Sequence, residues 1–173
     1  MKKVIKLALV VAMVVASSSL FAQKLGRINL QELITAMPEY AQMQTNMTAY
    51  SKDLRDNLET IQVELNNKYN DYDKNKGTYS EVTRQLKEKE LADLQARLSE
   101  YYESAQNDLN KKQQELMDPI IKKAQEAIKK VAEGAGFVAV FDTSIPSMVY
   151  YNETQMTDLM ANVKKELGIT AQN

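Results

Sequence analysis

From Tyr40 to Tyr72 the apolar side chains fall at Tyr40, Met43, Met47, Tyr50, Leu54, Leu58, Ile61, Leu65, Tyr69 and Tyr72, which is 32 residues in nine steps of three or four. The mean step of about 3.56 draws one narrow stripe along a helix, closer to a coiled-coil seam than to the broad face of a globular helix. A second stripe follows at Leu91, Leu94, Leu98, Tyr101, Ala105, Leu109, Leu116 and Ile120, interrupted at Lys112 and Gln113 and weakest over the four charges from Lys87 to Glu90. Between the two, Asn75-Lys76-Gly77-Thr78 offers the only glycine of the stretch, and no proline stands between Pro38 and Pro119. Asn and Gly tolerate the left-handed backbone that ends a helix, so the pattern predicts an antiparallel coiled-coil hairpin over residues 38–117, turning at Asn75 and Gly77. Each arm of about 40 residues, rising about 1.5 Å per residue, would extend roughly 60 Å.

Around the hairpin the pattern changes. Residues 1–22 carry a basic start at Lys2 and Lys3, an apolar run broken by Lys6 and a small-residue approach to Ala22, and they read as a secretory signal peptide cut after Ala22. Residues 24–29 (KLGRIN) form a strand candidate, followed by a helical turn or two to Met37. Pro38 then opens the first arm where its missing N–H costs nothing. Asp118-Pro119 should kink or interrupt the second arm, which makes Pro38 and Pro119 the joints between arm and body. Helix resumes to Gly134, the apolar run Phe137-Val138-Ala139-Val140-Phe141 reads as a strand, residues 148–151 as another, and a last helix capped by Thr157 ends at Gly168.

The fold class is therefore α+β: a small body from residues 23–37 and 118–173, and a long two-helix arm. A body of 71 residues with a strand apolar on both faces is short of material to cover itself. Neighbouring copies supply the cover most economically, so the chain is expected to oligomerise through its strands, at Ile28, Val138, Val140, Val149 and Tyr151.

Composition narrows the chemistry. Without the first 22 residues there are 19 basic and 23 acidic side chains, a net charge of −4, and no basic stripe for nucleic acid. Cysteine, histidine and tryptophan are absent, which removes disulfides and the usual soft metal ligands. Asp71-x-Asp73-x-Asn75 begins like a calcium loop, but Lys76 stands where the turn glycine belongs and Val82 where the bidentate glutamate belongs, so we read it as a solvated helix end. No phosphate loop or nucleophile elbow appears, and the reading is a non-enzyme that needs no metal or other cofactor. The pairs Lys111-Lys112, Lys122-Lys123, Lys129-Lys130 and Lys164-Lys165 leave room for weak contact with lipid head groups, although interleaved glutamates make solvated faces the simpler account.

The order of elements, with KLGRINLQELI early and GFVAVFDTS, MVYYNE and MTDLMANVKKELG late, resembles the Skp/OmpH family of periplasmic chaperones for outer-membrane proteins. The resemblance implies a homotrimer whose strands pool into a small barrel and whose helical tentacles enclose unfolded outer-membrane proteins without ATP. It departs in charge: residues 39–76 hold 5 basic and 7 acidic side chains, residues 79–117 hold 6 and 8, whereas the best-known members are strongly basic. No lipopolysaccharide-binding residue is therefore carried over. Client contact is expected from apolar groups off the seam, Val63 and Tyr102, and from Tyr72 and Tyr79 beside the turn, because tyrosine presents apolar area with a polar edge at modest entropy cost.

Overall fold

The structure is a computed structural model and describes residues 24–146 and 148–169; the signal peptide expected at residues 1–22 lies outside them. The chain is mostly helical, with one small parallel sheet. In order, the elements are β1 (Lys24–Ile28), α1 (Leu30–Ala36), α2 (Pro38–Asn75), α3 (Glu81–Ala135), β2 (Phe137–Asp142), β3 (Met156–Asp158) and α4 (Met160–Glu166). They fall into two compact units: residues 38–121 form one, and residues 24–37 with 122–169 form the other.

In the sheet-bearing unit β1 lies in the middle, parallel to β2 on one side and to β3 on the other. Its register sets Gly26 beside Val140 and Thr157, and Arg27 beside Phe141 and Asp158. Gly26 is required by closeness: a Cβ there would stand 3.0 Å from Leu159 Cδ1 and 3.2 Å from Val140 Cγ2. Ile28, Leu33, Ile34, Met37, Ala124, Ala127, Met156, Leu159 and Val163 are buried and make the core of this unit. Asn29 caps α1 by accepting from the Glu32 N–H at 2.9 Å, the arrangement expected of Asn before a helix. At the other end, Gly168 takes φ +70°, and the N–H groups of Gly168 and Ile169 close on the carbonyls of Lys165 and Lys164. That is the left-handed stop by which glycine satisfies the last carbonyls of a helix.

Four expectations need correction. Residues 148–151 form no strand, and Val149 is fully exposed; the third strand is β3, because only there does the chain return along the open edge of β1 with Met156 turned into the core. Thr157 belongs to β3 and caps nothing; Asp158 Oδ1 accepts from the Met160 N–H at 2.9 Å and does that work for α4. Pro119 does not interrupt α3, which runs through it from Glu81 to Ala135. Proline removes one backbone donor but its own φ is helical, and the long regular helix on both sides carries it. Finally, Asn75 and Gly77 mark the turn without left-handed backbone, since among the described residues only Gly136 and Gly168 have positive φ.

Candidate functional site

In the unit of residues 38–121 the buried side chains are Met43, Ile61 and Leu65 on α2, and Leu94, Ala105 and Ile120 on α3. All six belong to the two stripes of the sequence, so the stripes face inward along most of their length; Tyr69, counted in the first stripe from its spacing, is instead 57% exposed. Contacts between the helices are polar as well: Lys112 Nζ lies 5.8 Å from the centre of the Tyr50 ring, Lys68 pairs with Glu90, and the Tyr72 hydroxyl donates to Glu88 at 2.6 Å.

Towards the turn the polarity of this unit inverts. Lys68, Tyr72, Thr83, Lys87 and Glu90 are half-buried, while Tyr69, Val82 and Leu86 are 57%, 68% and 64% exposed. Glu90 receives both Lys68 and, at 3.2 Å, Lys87. Those bonds hold its carboxyl below the ordinary carboxylate range, and the Glu90 partner in turn raises Lys68. The Tyr72 phenol is raised chiefly by its bond to Glu88. Tyr79 reaches Asp71 at 3.4 Å, and its ring centre lies 6.3 Å from that of Tyr72. At the start of α3, Ser80 Oγ accepts from the Thr83 N–H at 3.2 Å and so caps the helix.

The four residues singled out for client contact are thus divided. Val63 and Tyr102 are displayed on different helices, 49% and 66% exposed. Tyr72 and Tyr79 are half-buried and have their hydroxyls engaged. Val82 and Leu86 are the residues that sequence reasoning misses. They are four apart and share a helix face, and the available signal is their position just outside a stripe that turns charged at Lys87. At the turn, Asn75 Nδ2 donates to the Asp71 carbonyl at 3.0 Å, while Gly77 has no atom within 4 Å of where a Cβ would stand. Pro38 opens α2 and Pro119 lies inside α3.

The residues expected at subunit contacts also separate. Ile28 is 3% exposed and lies in the core of its own unit. Val138 is 64% exposed, and Val140 is half-buried over Gly26. Val149 and Tyr151 lie outside any strand, with Tyr151 half-buried and the Arg27 guanidinium 5.5 Å from its ring centre. Among the described residues the outer edges of β2 and β3 have no strand partner. Asp142, at the end of β2, is pushed up by burial, but the N–H groups of Ser144 at 2.8 Å and Leu30 at 3.1 Å outweigh that and hold its carboxyl below the usual range.

Among the described residues no helix is long and apolar enough to cross a membrane. Comparison with curated proteins gives no match. Residues 24–167, from the first residue of β1 to just beyond α4, match the family described as outer membrane protein (OmpH-like). The span takes in both units and every described element, and the chain belongs to the OmpH-like family.

Proposed function

We propose that the chain is an ATP-independent holdase of the periplasm, exported by a signal peptide cut after Ala22, which keeps unfolded outer-membrane β-barrel proteins from aggregating. Family membership supports the client class. The observation that carries the mode of action is the display of Val63, Tyr69, Val82, Leu86 and Tyr102 outside the helix seam, all 49% exposed or more. Scattered aliphatic and tyrosine side chains suit many weak, unselective contacts, and an enclosed space makes such contacts add up through effective concentration.

Residues 38–117 act in this reading as an antiparallel coiled-coil hairpin. The partners Tyr50 with Lys112, Lys68 with Glu90, and Tyr72 with Glu88 support it, because numbers rise along one helix as they fall along the other. The body, residues 23–37 with 118–173, joins three copies. The unpaired edges of β2 and β3 and the exposed Val138 support an association in which strands continue from copy to copy into a small barrel. Lipid contact is weak and uses the lysine pairs. No cofactor and no nucleic acid take part.

The experiment is suppression of aggregation of several urea-diluted barrel proteins by the chain without nucleotide. An adaptor that docks by its turn onto one partner is the second reading, favoured by the same exposed Val82 and Leu86. Protection of diverse clients selects the holdase, and capture of a single partner with no protection selects the adaptor.

A further inference from the structure

The sheet-bearing unit carries two apolar features that do not meet within one chain. The first is the segment after β2, where Val149 is 100% and Tyr150 82% exposed. The second is a groove of about 580 Å³ along α4, lined by Asp158, Met160, Ala161, Lys165, Gly168 and Ile169. That volume is in the range that holds small organic groups, roughly 300–1,000 Å³. Arg27 stands between the two: its guanidinium lies 5.5 Å from the Tyr151 ring centre and pairs with Asp158, on the groove wall, at 3.3 Å. Val149 is fully exposed, so among the described residues none covers it, the groove residues included.

Charge points to the occupant. Around the groove Lys164 is paired with Glu32, Glu166 with Lys130 and Asp158 with Arg27. Among the described residues two exposed charges close to these features have no ion pair, Glu153 just after the apolar segment and Lys165 on the groove, and their signs are opposite. The chain thus carries both halves of a complementary contact. We propose that Val149 and Tyr150 of one copy seat in the α4 groove of a second copy, with Glu153 of the first against Lys165 of the second.

The contact joins different patches on the two copies, so it closes either by reciprocal exchange between two copies or head to tail in a ring, and the three copies of the proposed function take the ring. It rests on the oligomer of the proposed function, and it adds to that reading a side-chain lock beside the strand edges. By itself it is small against the roughly 800 Å² per partner of a stable interface, and it works because the strands already hold the copies together.

The chain has no cysteine, so introduced thiols report without background. In Val149→Cys combined with Ala161→Cys, mild oxidation is expected to link copies at least about tenfold faster than in Val149→Cys combined with Asn162→Cys, whose second thiol is exposed on α4 off the groove. Glu153→Lys and Lys165→Glu should each lower the fraction of oligomer at low concentration, and the two together should restore it, with helix content by circular dichroism unchanged. Equal linking in the two cysteine pairs, with oligomer mass indifferent to charge reversal, overturns the contact and leaves the oligomer standing. A wild-type chain that is monomeric at micromolar concentration overturns both.

Discussion

Lys68 on α2 and Glu90 on α3 form an ion pair between helices at a level where an apolar seam would place two hydrophobic groups, and Lys87 joins them on the same carboxylate. The neighbouring apolar side chains, Tyr69 and Leu86, lie outside instead. Electrostatics therefore replaces burial as the link between the helices near the turn. That exchange frees apolar area for other uses.

Glu90→Gln and Lys68→Ala should each loosen the turn end and lower the melting temperature modestly. The pair is partly exposed, so the effect should shrink in about 1 M salt, where the Debye length falls to about 3 Å. The folded-state pKa of Glu90 is depressed, so its contribution is present above the ordinary glutamate value of about 4.3 and is lost as pH falls through the lower folded value. Melting curves of wild type and Glu90→Gln should converge on acidification. A constant gap from neutral pH to about pH 3 would contradict the pair's role.

Asp142 ties the end of β2 to the start of α1 through the Leu30 N–H. Asp142→Ala leaves that N–H and the Ser144 N–H without their acceptor, and should cost about 1–3 kcal/mol in urea unfolding. Asp142→Asn keeps an acceptor oxygen and should cost less. The wild-type carboxyl is depressed, so its share of stability is present above about 3.9 and fades as pH falls through the folded value, whereas the Asn variant should lack this term.

Glycines should divide by backbone angle. Gly77 has no positive φ, and the space where an alanine methyl group would stand is open, so Gly77→Ala should stabilise the chain by about 0.4–1 kcal/mol through the unfolded state. Gly168→Ala, at φ +70°, should destabilise by about 1–2 kcal/mol even though its surroundings are equally open. Thermal melts of the two variants should move in opposite directions.

Much of this was legible along the chain because it depends on local pattern. The stripe from Tyr40 to Tyr72 gives α2, Asn75 marks its end, and Gly168 stands where the sequence pattern stops the last helix. The misses share a different cause, since each depends on a neighbour distant in sequence. Met156-Thr157-Asp158 has no strand signature of its own, and it becomes β3 because β1 has a free edge for it. Residues 148–151 are rich in strand formers yet find no such edge within the chain. Pro119 carries a breaker's signal, but the regular helix on either side prevails. At the candidate surface, Tyr72 and Tyr79 were legible as residues near the turn, whereas their engagement by Glu88 and Asp71 required the fold.

If the exposed pair beside the turn serves clients, Val82→Ser with Leu86→Ser should weaken protection of a barrel protein several-fold. It should leave the melting temperature within about 2 °C, because neither side chain is in the seam. The contrasting variant is Leu65→Ala, which removes a seam residue and should cost about 2–5 kcal/mol of stability. Equal losses of protection and of stability in Val82→Ser with Leu86→Ser would assign that pair to structure alone.

The most direct measurement is light scattering from a urea-diluted outer-membrane barrel protein, with the mature chain titrated in and no nucleotide present, alongside its mass in solution. Enclosure of a client between helical arms predicts suppression that saturates near one client per oligomer. A well-folded oligomer that fails to suppress scattering across several barrel proteins would contradict it.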